Sequence, residues 1–193
     1  MGLPVRKMEQ HYVYRDYRQW PDDERWELID GVAYAMSGPS TGHQGIAMEM
    51  GRQLANFLKG KDCRVFPAPC DVFFYRLREQ DEDDIDTVVQ PDLLVVCDPE
   101  KIRPRGVWGA PDLVVEILSP STSRKDQNEK FNLYQRSGVK EYWVVDPAGQ
   151  WMQQYVLGAN GQFGIEVTFE KKGTLECRVL PGFNLSVAEL WPA

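Results

Sequence analysis

With 193 residues, 42% of them hydrophobic, the chain is long enough to close a core without cross-links, and a single domain over residues 1–193 is expected. A net charge of −7 argues against the broad basic footprint of a protein that grips duplex nucleic acid by counterion release. No apolar run reaches the roughly 18 residues of a membrane span, and the first residues lack a signal-peptide core, so a cytoplasmic location is expected.

In chain order, Tyr12 to Gln19 reads as a short amphipathic helix stopped by Pro21. ERWELIDGVAYAM reads as a hairpin turning at Asp30-Gly31. From His43 to Lys59, apolar residues recur at helical spacing, and Gly60 is a suitable stop. CRVF and DVFFYRL read as strands separated by Pro67 and Pro69. The stretch from Glu79 to Asp86 carries six acidic residues, nearly the whole net charge, and reads as a solvated loop. VVQPDLLVVCD and PDLVVEILS are apolar and β-branched enough to be buried on both faces of a central sheet. A helix from about Arg124 to Arg136 follows, ended by Gly138, then a buried strand KEYWVVDP and a C-terminal meander. Trp151, Tyr155, Phe163 and Phe169 make that meander aromatic enough to suggest a homodimer face.

Cys63, Cys70, Cys97 and Cys177 are far apart, form no CxxC pair and sit in apolar or strand-like runs. Four free structural thiols in a reducing compartment are expected.

Two acids stand where acids are costly. An ionised carboxylate inside a buried strand needs an opposite charge, a set of donors or a cation. Glu116 lies among four large apolar residues in VVEIL, and Asp92 opens the other central run. On neighbouring strands, both could offer hard oxygen donors to a metal ion such as Mg²⁺. Asp92 could equally satisfy backbone donors at a strand start. Asp112 shares a strand face with Glu116, but it sits about 13 Å away at roughly 3.3 Å per residue and reads as structural. No GxSxG elbow and no GxxxxGK[ST] phosphate loop occur, and Ser119, Ser121 and Ser123 have no nearby histidine in sequence.

QPDLLVV, followed by APDLVVEILSPSTSRKDQNEKFNLYQRSGVKEYWVVDP, resembles the hallmark segment of the Uma-two family, bacterial proteins assigned to the PD-(D/E)XK nuclease superfamily. RWELIDGVAY and PSTGHQGI match the same family, so the resemblance runs from about Tyr12 to Leu190. It implies an α/β restriction-endonuclease-like core: a mixed central β-sheet of about four strands flanked by helices, with extra N- and C-terminal strands. It also implies that Asp92, Glu116 and the Ile117 carbonyl hold Mg²⁺ or Mn²⁺. The superfamily lysine is absent two residues after Glu116, where Leu118 stands, and the resemblance implies a migrated replacement in Lys130. Gln127, Lys130 and Tyr134 share one helical face. The alternative for Lys130 is a solvated pair with Asp126. Glu27 is implied as an additional acid near the metal, with a surface pair to Arg25 or Arg52 as its alternative. His43 is implied at the site for proton transfer, or else acts as a helix cap.

Two functions follow as expectations. One is a metal-dependent endonuclease acting on DNA, with Arg103, Arg105, Arg124 and Lys125 near the phosphates. The other is a non-catalytic nucleic-acid- or protein-binding module that keeps the fold and needs only charge pairing among its acids.

Overall fold

The computed structural model describes residues 6–7, 10–21, 23–75, 80–119 and 126–191. Among these residues, two larger mixed sheets and a two-stranded ribbon carry the chain, with few helices. The first sheet collects β1 (Arg6–Lys7), β2 (Trp26–Ile29), β3 (Val32–Ala35), β5 (Val72–Phe73), β6 (Val88–Val89), β8 (Ile102–Arg103) and β9 (Gly106–Trp108), in the order β1-β3-β2-β6-β5-β9-β8. The second collects β4 (Arg64–Pro67), β7 (Leu93–Val96), β10 (Leu113–Ile117), β11 (Glu141–Asp146), β12 (Trp151–Leu157) and β13 (Phe163–Glu170), in the order β13-β12-β11-β10-β7-β4. β14 (Thr174–Glu176) and β15 (Asn184–Ser186) form the ribbon. The single central sheet expected from the sequence is thus two sheets, and the one holding β7 and β10 has six strands.

Local chemistry explains the breaks. VVQPDLLVV, read as one strand, divides into β6 and β7 in different sheets. Pro91 has no N–H to donate to a ladder, and the chain changes sheets there. The β2–β3 hairpin turns at Asp30 and Gly31, with φ of 51° and 75°, the left-handed pair that matches strand twist. A Cβ on Gly31 would fall 2.1 Å from the His11 ring. The long helix α2 (Thr41–Leu58) is capped by the Ser40 hydroxyl, which accepts from His43 N at 3.2 Å. The short helix α1 spans only Tyr14–Tyr17. The helix expected from Arg124 is instead a π-type turn over Asp126–Lys130 that runs into α3 (Phe131–Ser137), and residues 124 and 125 lie outside those described. Among the described residues, no helix is long and apolar enough to cross a membrane.

β10 is buried on both faces, and its alternation assigns residues to two cores. Leu113, Val115 and Ile117 face Ile46, Met50 and Leu54 of α2. Val114 and Leu118 face Leu133 and Tyr134 of α3, in a core shared with Ile29 and Val89 of the first sheet. Glu116 belongs by alternation to this second face. Of the four aromatic residues expected to offer a face to a second copy, Tyr155 and Phe163 pack on Phe131 and Tyr142, with Phe131–Tyr155 ring centroids 5.1 Å apart.

The cysteine expectation is corrected: Cys63 and Cys97 form a disulfide, while Cys70 and Cys177 are free. Antiparallel pairing of Arg64 with Val96 brings the two flanking cysteines opposite each other. Thirty-four residues separate them in sequence, so the proximity depends on pairing that spacing does not show. Burial pushes the Cys70 thiol up to about 11.

The acidic loop is exposed at Asp81, Glu82 and Asp84, and it is ion-paired as well. Asp83 and Asp84 pair with Arg15 and Arg18 of the α1 region, Glu82 pairs with Arg103, and Asp86 is buried.

Candidate functional site

Glu116 is 2% exposed, and two donors converge on its Oε1. Lys130 Nζ donates at 2.7 Å and the Tyr134 hydroxyl at 2.6 Å. Lys130 and Tyr134 are four residues apart, so one turn of helix delivers both to the same oxygen. The amine is buried among acids, which removes the reading of Lys130 as a solvated partner of Asp126. Burial, then the Glu116 charge, holds the Tyr134 phenol well above its ordinary range, so it remains a neutral donor.

Glu27 reaches the same amine from the other sheet. Its Oε1 lies 2.9 Å from Lys130 Nζ and accepts from Gln90 N at 2.9 Å. At 1% exposure it is not the surface partner of Arg25 or Arg52. Gln90 is held in turn. Arg25 donates twice to its Oε1, and its Nε2 donates to Asp71 Oδ1 at 2.8 Å. The Tyr17 hydroxyl donates to the same Asp71 oxygen at 3.2 Å. Burial, against the hydrogen bonds from Gln90 and Tyr17, leaves the Asp71 carboxyl above the usual carboxylate range.

Asp92 follows Pro91 and immediately precedes β7. β7 and β10 run antiparallel with Val115 opposite Leu93, a register that one further residue would extend to Glu116 and Asp92. Directly opposed residues project to the same face, with Cβ atoms about 5 Å apart. Asp92 Oδ2 accepts from Ile117 N at 2.7 Å and lies 3.1 Å from His43 Nε2. His43 stands in the first turn of α2, where the Ser40 cap holds its backbone N–H.

Glu27, His43, Asp92, Glu116, Ile117 and Lys130 all line one cleft of about 1980 Å³. That exceeds the roughly 300–1,000 Å³ of an ordinary small-molecule pocket. Asp146, which ends β11 beside β10, also lines it, but its Oδ1 accepts from Ala148 N and so caps the following turn. Sequence reasoning passed over Asp146, as it did the donors from Tyr134 and Gln90. Only the four-residue spacing of Lys130 and Tyr134 hinted at one of them.

Other expectations separate from the site. Asp112 is structural: it accepts from Cys97 N and from Lys140 Nζ, each at 2.7 Å. Arg103 and Arg105 do not line the cleft. The first pairs with Glu82 and lies 4.7 Å over the Trp108 ring, and the second donates to the Tyr14 hydroxyl. The chain between the two proline-led strands carries them to the far edge of the first sheet, which spacing could not show. Arg124, Lys125, Ser121 and Ser123 lie outside the described residues.

The donor chemistry fits a small divalent ion. Asp92 and Glu116 supply carboxylates, and Asp92 Oδ1 accepts no hydrogen bond among the described residues. In a strand, the N–H and C=O of one residue point to the same edge, so the Ile117 carbonyl faces the edge where its N–H meets Asp92. Among the described residues, no group of three His, Cys, Asp or Glu side chains is arranged to hold a metal. An ion here would rest on two carboxylates, a main-chain oxygen and water, a set Mg²⁺ tolerates because it keeps several waters.

The molecule is therefore a mixed α/β protein whose two sheets meet at a buried carboxylate–lysine cluster on the wall of a large cleft. The chain belongs to the Uma2 family, described as "Putative restriction endonuclease", whose model matches residues 14–188. It is 28% identical over 175 residues to the uncharacterized protein slr1290 of Synechocystis sp., covering 89% of this chain and 87% of that one. A second Synechocystis protein, the uncharacterized sll1609, is 24% identical over 170 residues, covering 77% of this chain and 86% of the relative. The fold is similar to the crystal structure of "a putative nuclease belonging to DUF820" from Anabaena variabilis, with a TM-score of 0.73, 20% identity, and coverage of 93% of this chain and 97% of that one.

Proposed function

We propose that the protein is a Mg²⁺- or Mn²⁺-dependent nuclease of restriction-endonuclease-like core that hydrolyses DNA phosphodiester bonds. The observation that carries this reading is that Asp92, Glu116 and Lys130 line one polymer-sized cleft, with Lys130 paired to Glu116 and Asp92 bonded to the Ile117 N–H. Asp92, Glu116 and the Ile117 carbonyl are the groups that would hold the ion. Bound there, it would lower the pKa of a coordinated water and neutralise phosphate charge.

The remaining groups have roles in keeping with their contacts. Lys130, flanked by two carboxylates, is a cation and a donor, suited to orienting water and stabilising charge on phosphate oxygens. Glu27 anchors that amine from the second sheet. His43 orients the Asp92 carboxylate through Nε2.

A second reading has its own observation. Each acid of the cluster already has protein donors: Glu116 from Lys130 and Tyr134, Glu27 from Lys130 and Gln90, Asp92 from Ile117 and His43. A non-catalytic binding module that retains this fold needs no more than that.

Cleavage of supercoiled and single-stranded DNA in Mg²⁺, Mn²⁺ or EDTA separates the two. Wild type is compared with the near-isosteric Asp92→Asn and Glu116→Gln and with Lys130→Ala, each checked for folding. Metal-dependent nicking lost in the folded variants supports the nuclease. Equal traces in every sample indicate contamination and leave the binding module.

A further inference from the structure

Gln90 stands where the chain leaves the first sheet for the second, immediately after β6 and two residues before Asp92. It is 9% exposed, and the four hydrogen-bonding positions of its amide are all filled. Oε1 accepts from Arg25 Nε at 3.2 Å and from Nη2 at 2.7 Å. Nε2 donates to Asp71 Oδ1 at 2.8 Å and to the Tyr17 hydroxyl at 3.2 Å. A flipped amide would set its oxygen against Asp71 and its NH₂ against the guanidinium, so the bonds define one orientation.

These partners mark one end of the first sheet. Arg25 immediately precedes β2, Asp71 immediately precedes β5, and β6 lies between those two strands. Tyr17 ends α1. One amide therefore spans three neighbouring strands and a helix, beside the cleft that Arg25, Glu27, Gln90 and Asp92 all line. Its backbone carries the effect to both sheets. Gln90 N donates at 2.9 Å to Glu27 Oε1, the oxygen that also meets Lys130. In the other direction, Pro91 fixes its own φ and holds the residue before it to extended backbone, so little freedom separates the clamped amide from Asp92. Filling this corner needs no amide, whereas a polar network with every member bonded specifies one arrangement.

We propose that Gln90 is a positioning residue of the site: its clamped amide holds the crossover between β6 and β7 so that Glu27 and Asp92 are set in place beside Glu116 and Lys130. The inference deepens the nuclease reading and rests on it for the ion that Asp92 would hold.

Two readouts test it: Mn²⁺ binding, followed by the electron paramagnetic resonance of the free ion, and ¹⁵N-histidine spectra of the metal-free protein at one fixed pH. Gln90→Met removes the amide at nearly constant length. Gln90→Glu keeps the acceptor for Arg25 but sets a second carboxylate against Asp71. Gln90→Glu with Asp71→Asn exchanges donor and acceptor and restores the bond. Both single variants are expected to weaken Mn²⁺ binding about tenfold or more. They are also expected to shift the imidazole signal of His43, whose Nε2 lies 3.1 Å from Asp92 Oδ2. The chain has two histidines, and His11→Gln assigns that signal. The double variant is expected to return both readouts towards wild type, which a residue that only filled space would not do. All proteins are compared where circular dichroism shows them folded. Wild-type Mn²⁺ affinity in the single variants, or a double variant no better than Gln90→Glu, would overturn the proposal and leave the metal site standing. Wild type that binds no Mn²⁺ removes the nuclease reading, and the His43 signal then decides. A shift in the single variants that the exchange mends keeps Gln90 as a positioning residue, and an unmoved signal overturns it.

Discussion

Lys130 and Glu116 form an ion pair, Nζ to Oε1 at 2.7 Å, in which both side chains are only 3% exposed. Glu27 on the other sheet closes on the same amine at 2.9 Å, so one lysine joins the two sheets. Removing it strands two buried carboxylates. Lys130→Met is expected to lose about 3–5 kcal/mol in urea denaturation, and adding Glu27→Gln to recover part of that. Wild-type stability in Lys130→Met would show that the pair does not hold the sheets together.

Tyr134 donates to the same Glu116 oxygen from a fully buried position. Its phenol is held well above the ordinary range, chiefly by burial. Tyr134→Phe keeps the ring and removes one hydrogen bond to a charged group, an expected loss of about 1.5–3 kcal/mol. Equilibrium unfolding measures it, and an unchanged midpoint would argue against the bond.

The site's acids were legible because burial of charge is legible: VVEIL cannot be an ordinary strand without a partner for Glu116. The hairpin at Asp30-Gly31 and the helix after Ser40 were likewise local, written in turn and cap residues. What escaped was set by pairing between distant segments. Nothing in VVQPDLLVV announces that its halves enter different sheets, and nothing in the spacing of Cys63 and Cys97 announces their bond. Glu141 shows the same limit. It is 0% exposed, with its Oε1 accepting from Trp143 and Gln154 and its Oε2 from the main chain of Arg178 and Val179, and the sequence showed only an acid at a strand start.

Asp71 supports the cluster through Gln90, and burial raises its pKa. A carboxyl whose folded-state pKa is raised binds its proton more tightly in the folded protein. Its contribution to stability is fully present below the ordinary aspartate value of about 4 and is lost as pH rises through the raised value. Asp71→Asn does not titrate, so its Tm relative to wild type should climb across that window and then level off. Scanning Tm against pH for both proteins tests this, and a difference independent of pH would refute it.

The Cys63–Cys97 disulfide ties β4 to β7, the strand that Asp92 immediately precedes, across a separation of 34 residues. Cross-linking that loop restricts the unfolded chain, worth about 3–4 kcal/mol in the chain-entropy account. Cys63→Ser with Cys97→Ser is expected to lower the unfolding midpoint by a corresponding amount. Reductant should lower the wild-type midpoint and leave the double variant unmoved. Cys70 and Cys177 are free, and burial raises both thiols, so they do not substitute as a fast-reacting pair. Alkylation under denaturing, non-reducing conditions followed by mass measurement reads the pairing directly: two thiols modified supports the bond, and four modified removes both the bond and the stability prediction built on it.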